Sequence, residues 1–421
     1  MLSKKSKKII LVAGGVVIFI IMVCWIVIYG KFHKSKNIKS SEAEKPSREP
    51  KPYSPQPKLP SKSPLSFPID NIPAKREDIF RKLTWEERKE SKKLISAEEK
   101  TIIQNLASQV DIDINKSYFD YKRGFDMVPG NREIHDDQDH ALYLFTDKGN
   151  FFVKINDYSD LSRFEYEKES MLAINEAVPD FAPRPLVLGN LPNGGKFLVV
   201  NFIEARWHDR LKVENQKLLG KTLAQLHQKK SPNGKFGFHI GKNNQWKDNW
   251  ATFFYENRWY PLWKRFLQKY PHETEMIKWG TIVGEKIIPD LLGNLPVEPV
   301  LIHGNLDFDS WDISSQTNQP WVFDTRSYYG HNEMDLSLIR YYWPPDKIPG
   351  LKGLVGEFFE SEFTAEYQKH NPLPPGFEER KTLYRLYYYI HQRIVISGSN
   401  WKPKRRAKIL KIMKELGEKY D

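Results

Sequence analysis

Apolar and polar positions divide the chain into three stretches. Residues 9–30 are an apolar run without one charged residue. Residues 31–76 have no periodicity and are rich in Lys, Ser and Pro, with nine prolines between Pro46 and Pro73. From about residue 77 the patterns become regular. Residues 79–108 read as one or two helices, with Glu86, Glu87, Lys89 and Glu90 on a polar face and Ile102, Ile103 and Leu106 on an apolar one. Segments 118–121, 141–145 and 151–155 are strand-like. Asp147, Lys148, Gly149 and Asn150 form a hairpin turn between the last two. Residues 160–175 suit a helix and 197–203 an apolar strand. From about 210 the pattern is helical, with Leu218, Leu219, Leu223, Leu226 and His227 at helical spacing. Short strands at 300–303 and 321–323 interrupt it. A last helix, 401–420, has Ile409, Leu410, Ile412, Met413 and Leu416 on one face and a basic opposite side. The expected fold class is α+β: a small antiparallel lobe with one helix at 77–203, and a mostly helical lobe at 204–421 with an embedded hairpin. A cleft between the lobes is the natural ligand site.

The apolar run changes the picture at the N-terminus. Its 22 residues, at ~1.5 Å each, reach across a ~30 Å hydrocarbon layer and exceed the ~7–15 residues of a secretory core. Residues 9–30 therefore read as a single-pass helix after a basic tail, 1–8, with the lipid bilayer as partner and a membrane localisation. Trp25 and Tyr29 suit an interface. Lys4, Lys5, Lys7 and Lys8 precede the run and Lys31, Lys34, Lys36 and Lys39 follow it, so charge does not orient it. Residues 31–76 read as a disordered, semi-rigid spacer. The net charge of +12 belongs to this region. Residues 1–76 hold 15 Lys and Arg against 4 Asp and Glu, leaving 50 against 49 in the rest. The folded part has no basic excess, which argues against nucleic acid as a partner. A hydrophobic fraction of 40% excludes wholesale disorder. The single cysteine, Cys24, excludes an intramolecular disulfide and a cysteine-ligated zinc domain.

Three places hold candidate chemistry. Phe152, Val153, Lys154 and Ile155 set one lysine in an apolar strand, and Glu167 follows on a helix. Such a pair can grip α/β phosphates, the glutamate holding the lysine in place. Val322, Phe323 and Asp324 end a strand on a carboxylate suited to a hard Mg²⁺ ion. Between them, His303, Gly304, Asn305, Leu306, Asp307, Phe308, Asp309, Ser310, Trp311 and Asp312 form a loop able to supply a base and a second metal ligand.

These residues carry a resemblance to the fructosamine (ketosamine-3-) kinase family, relatives of the aminoglycoside and choline phosphotransferases. The segment around Lys154 and Glu167 resembles the family's FVK…FEGE…SL. Phe236, Gly237 and Phe238, followed by Trp246, Asp248 and Trp250, resemble FGF…W…DW. Phe323 and Asp324, with Ser327 to Glu333, Asp335 and Leu336, resemble FDP…FYGH.E.DL. The resemblance implies a bilobal protein-kinase-like fold that binds ATP and Mg²⁺. It implies transfer of the γ-phosphate to the 3-hydroxyl of ketosamines, free or on glycated protein lysines. Lys154 would hold phosphates, Glu167 would position it, Asp324 would bind metal, and Val200, Asn201 and Phe202 would form the adenine hinge. ATP supply favours a cytosol-facing domain.

The chain departs from the family at the catalytic loop, which reads HGDLWSGN there and HGNLDFDS here. Without a gap, the base position falls on Asn305 and the metal-ligand position on Ser310. With two extra residues after Gly304, the base is Asp307 and the ligand Asp312, and the spacing from Asp312 to Asp324 is twelve. The amide of Asn305 cannot accept a proton as a carboxylate does, so Asp307 is the preferred base. A catalytically impaired, tethered binding or scaffold module of the same fold is the alternative reading. The phosphate-covering loop has only Gly124, Gly130 and Asn131 to offer, with Asp136, Asp137 and Asp139 beyond them.

Overall fold

Two-residue alternation, with both faces covered, organises the first half of the folded chain. The computed structural model describes residues 96–120, 139–156, 162–205, 209–307, 310–338, 355–391 and 403–420. Helix α1 (Ala97–Ala107) starts at a capping box, in which Ser96 Oγ accepts from the Glu99 amide and Glu99 accepts from the Ser96 amide. Strands β1 (Tyr118–Asp120), β2 (Asp139–Thr146), β3 (Gly149–Asn156), β4 (Pro185–Asn190) and β5 (Lys196–Asn201) form an antiparallel sheet in the order β1-β2-β3-β5-β4. Helix α2 (Ser162–Ala177) lies between β3 and β4 in the chain.

Phe151 and Val153 of β3, with Phe197 and Val199 of β5, pack on Ile102, Ile103 and Leu106 of α1. Phe152, Leu198 and Val200 alternate to the other face and join the larger core with Phe164, Met171 and Ile174 of α2. Lys154 shares that second face and lies opposite Leu198. This is why a lone strand lysine is not solvated here: α2 covers it.

The second half is mainly helical. It comprises α3 (Val213–Leu226), α4 (Trp250–Phe254), α5 (Tyr260–Lys269), α6 (Thr274–Ile282), α7 (Ile288–Leu292), α8 (Glu333–Leu338), α9 (Val355–His370), α10 (Phe377–His391) and α11 (Pro403–Tyr420). One-turn π segments, Tyr255–Trp259 and Val283–Ile287, join α4 to α5 and α6 to α7. Two small ribbons are set among the helices. β6 (Val300–Ile302) pairs with β9 (Tyr328–Gly330), and β7 (Trp311–Ile313) with β8 (Pro320–Val322), all antiparallel. The expected strands at 300–303 and 321–323 are thus present, each with a partner that has no sequence signal of its own. The α+β fold with a sheet-bearing part and a helical part is as expected.

Helix α11 buries Ile409, Met413 and Leu416. Its basic side is matched by acids: Arg406 pairs with Glu273, Lys414 with Glu275 and Lys419 with Glu379.

The expected membrane localisation is corrected, and with it the bilayer as a partner. Among the described residues no helix is long and apolar enough to cross a membrane. The run 9–30 itself, the tail 1–8, the spacer 31–76 and the loop carrying Gly124, Gly130, Asn131, Asp136 and Asp137 lie outside the described residues.

Candidate active site

The Lys154 ammonium joins two carboxylates that are far apart in sequence. It donates to Glu167 Oε1, and to Asp324 Oδ1 at 2.6 Å. Sheet, helix α2 and the loop after β8 therefore meet at one cation. Burial alone would lower the lysine pKa, but the charges of Asp324 and Glu167 outweigh it and hold the ammonium above its ordinary value. The Lys154 charge pulls the Asp324 carboxyl below the usual carboxylate range. Burial pushes Glu167 the other way, against the same lysine. Glu167 is nearly covered while the Asp324 side chain is 56% exposed, so Asp324 is the acid that faces incoming solutes.

Asp324 also has φ 56°, in the left-handed region that a non-glycine residue enters at a cost. The neighbouring backbone holds it there. Phe323 N donates to Ser310 O at 2.9 Å and Arg326 N to His303 O at 3.0 Å. Asn305 Nδ2 donates to Asp324 O at 3.2 Å.

The loop after β6 is clamped from below. Asp335, fully buried on α8, accepts from the amides of His303 (2.7 Å) and Gly304 (2.9 Å). His227 Nε2 lies 3.2 Å from the same carboxylate, and its Nδ1 is 2.7 Å from Tyr367 Oη. Gly304 has φ 78°, and a Cβ there would lie 2.1 Å from Arg326 O, so only glycine fits. His303 Nε2 faces Phe323 O at 3.1 Å, and Asn305 N faces His303 Nδ1 at 3.2 Å. A carbonyl only accepts and an amide only donates, so the imidazole carries its proton on Nε2. Burial holds its pKa below the usual histidine range. Both ring nitrogens serve the backbone, which leaves His303 no role as a base.

Asn305 and Ser310 stand nearest to Asp324 along the chain pairing. Ser310 immediately precedes β7, and Trp311 is opposite Val322. Ser310 Oγ accepts from Asp307 N at 2.7 Å and lies 3.1 Å from the carbonyls of both Asn305 and Asp307. Asp312 lies further along β7, opposite Trp321, and is 5% exposed. Burial raises its pKa, and the charges acting on it are those of Arg210 and Asp209 rather than Lys154. The structure thus brings Ser310, and not Asp312, alongside Phe323 and Asp324. Asp307 is half-buried in the turn closed by Ser310.

The hinge expected at Val200, Asn201 and Phe202 is largely engaged. Val200 pairs with Phe152 inside the sheet. Asn201 N donates to Arg184 O (3.1 Å) and Phe202 N to Asn150 O (3.3 Å). Ile203, the next residue, has no backbone hydrogen bond among the described residues. Tyr166 was not singled out by the sequence, because it reads as one more helix aromatic. Its hydroxyl lies 2.8 Å and 2.9 Å from the carbonyls of Arg326 and Ser327, tying α2 to the segment after Asp324. Asp335 was visible only as part of a motif.

No group of three or more His, Cys, Asp or Glu able to hold a metal occurs among the described residues. Mg²⁺ is usually held by one or two carboxylates plus substrate phosphates and water, so Asp324 alone, exposed and ionised, fits that ion.

The fructosamine kinase family model matches residues 129–415. Over 262 residues the chain is 31% identical to the chloroplastic protein-ribulosamine 3-kinase of Oryza sativa subsp. indica, covering 60% of this chain and 70% of that protein. Over 279 residues it is 28% identical to the ketosamine-3-kinase of Mus musculus, covering 58% of this chain and 82% of that one. A crystal structure assigned as a fructosamine-3-kinase from Thermobifida fusca superposes with a TM-score of 0.58 at 16% identity, covering 76% of this chain and 99% of the other. One from Haemophilus somnus gives 0.56 at 22%, covering 75% and 96%. These structures share the kinase-like fold.

Proposed function

The chain belongs to the fructosamine kinase family, and from that premise we propose that it transfers the γ-phosphoryl group of ATP to the sugar 3-hydroxyl of ketosamines, free or on glycated protein lysines. The observation that carries this reading is the lysine shared between Glu167 and Asp324. A cation and an exposed carboxylate side by side form the two halves of a metal–triphosphate cradle.

In this reading Lys154 turns from Asp324 to the α/β phosphates while Glu167 keeps its place. Asp324 would hold Mg²⁺, with Asn305 and Ser310 nearest to complete the shell. Bound there, the ion neutralises charge on the phosphate oxygens. Ile203, following Val200, Asn201 and Phe202, offers for adenine an amide that is unengaged among the described residues. Asp307 is the base, because Asn305 is an amide and both nitrogens of His303 are occupied. The acceptor oxygen bonds to the γ-phosphorus, the bond from that phosphorus to the bridging oxygen breaks, ADP leaves, and the hydroxyl proton passes to the Asp307 carboxylate. Catalysis is positioning plus charge neutralisation.

The test is ATP consumption by the full chain with synthetic ribulosamine and fructosamine acceptors, with and without Mg²⁺, and identification of the 3-phosphate product. Metal-dependent product supports the proposal. No turnover of any ketosamine overturns it in favour of a binding module.

A further inference from the structure

Beside the catalytic loop lie two arginines, Arg258 and Arg326; the charge of Arg326 reaches Glu167 and Asp324, the acids that also hold Lys154, without a direct contact to either. Arg258, on the π segment, lays its guanidinium 4.0 Å from the ring centre of Tyr328 and 4.8 Å from that of Phe253. It donates to the carbonyls of Asn243 (2.5 Å) and Asn257 (3.0 Å) and to Asn244 Oδ1 (2.9 Å). All these partners are neutral. Tyr328 in turn touches the loop, since a Cβ on Gly304 would lie 3.2 Å from its ring. Tyr388 Oη lies 3.5 Å from Gly304 O. Arg326 is the second residue after Asp324, its backbone fixed by His303 O and by Tyr166, and its side chain is exposed.

Among the described residues, neither Arg258 nor Arg326 forms an ion pair with a carboxylate. Tyr328 is 2% exposed, and its ring lies against the Arg258 guanidinium. The electrostatic trace of the cluster is His391, tilted against Tyr387 with ring centres 5.9 Å apart. Burial and then the charges of Arg326, Arg265 and Arg258 hold its imidazole down at about 3. A guanidinium fixed by neutral acceptors, as that of Arg258 is, or left exposed, as that of Arg326 is, keeps its charge for a ligand, and carboxylates match its planar geometry.

We propose that Arg258 and Arg326 form an anion-accepting subsite for the phosphoryl acceptor, selecting ketosamines that carry a carboxylate near the sugar. This inference rests on the kinase reading for its substrate class. The ligand would be the free α-carboxylate of a glycated amino acid or short peptide, its sugar lying toward Asn305 and Asp307.

The experiment compares ribulosyl-glycine with ribulosyl-glycinamide on the full chain, by calorimetric binding and by kcat/KM with Mg-ATP. The carboxylate form should bind and turn over at least about 10-fold better, the margin shrinking as salt screens the charges. Arg326→Gln and Arg258→Lys should each bring the ratio toward one. The KM for ATP should stay the same in Arg326→Gln. Equal binding of the two acceptors, or binding of neither, overturns the subsite, as does a ratio that survives both substitutions. A raised KM for ATP in Arg326→Gln overturns it as well, assigning that arginine to the phosphates. A carboxylate preference in binding without phosphoryl transfer would overturn the kinase reading and leave the subsite standing.

Discussion

Lys154 shows how one side chain depends on its surroundings. In a strand exposed on one face it would be a solvated lysine; beneath α2 it is held by two acids. Lys154→Met and Asp324→Asn should each lower kcat/KM for phosphoryl transfer by roughly 10²–10³, the scale of losing one preorganised charge contact. Thermal unfolding measured alongside checks that the variants are folded. Asp307→Asn should lower kcat by about 10²–10⁴ with KM little changed, as expected for a lost general base. Full turnover in that variant would place the base elsewhere. The sequence supplied Lys154, Glu167 and Asp324 as candidates, because an isolated lysine in an apolar strand and an aspartate at a strand end stand out. It left the loop register open, because hairpin length varies freely. Only the pairing of β7 with β8 put Ser310 rather than Asp312 next to Phe323.

At the scale of elements, the loops are stiffened by buried polar connections rather than by their own sequence. Helix α8 contributes Asp335 to the loop after β6, and Glu333 to Arg380 of α10. That last pair is bidentate, at 2.8 and 2.7 Å, and Arg380 also donates to the carbonyls of Pro374 (3.1 Å) and Pro375 (2.8 Å). Glu333 is completely covered and Arg380 only 4% exposed. Arg380→Met leaves that acid buried without its cation and should destabilise the protein by about 3–5 kcal/mol. Urea denaturation checks the value, and a loss under 1 kcal/mol would mean that Glu333 finds another partner. The main helices and sheet strands were legible from periodicity. β4, β7 and β9 were not, being short or without alternation, and neither were the π segments, whose extra residue per turn is set by tertiary contacts.

For the whole molecule, the charge balance predicts acid sensitivity. His331 is 4% exposed and bonded to Tyr384 Oη at 2.7 Å. Burial first, then the charges of Arg380 and His227, lower its pKa from 6.5 to about 3. Between those values the unfolded chain binds the proton and the native chain does not. Stability therefore rises with pH across this window and is lost on acidification. His391, held equally low, adds the same sign. Urea midpoints measured from pH 7 to pH 4 should fall, and fall less steeply in His331→Gln. An unchanged slope in that variant would mean that His331 takes up its proton without opening the core.

The sequence by itself determined the α+β class, the position of most helices and sheet strands, and the residue types needed for a triphosphate site. Those depend on local periodicity and on side-chain chemistry, which are written along the chain. Tertiary structure decided which candidates meet. Lys154 and Asp324 are separated by 170 positions, and their contact exists because α2 covers one face of the sheet while Tyr166 ties it to the segment after Asp324. It also decided that the amides of Asn201 and Phe202 are engaged by Arg184 and Asn150, and that Arg258 and Arg326, from two distant segments, come together around Tyr328 and Gly304. Contacts of that kind follow from packing between elements, to which neighbouring residues in the sequence give no clue.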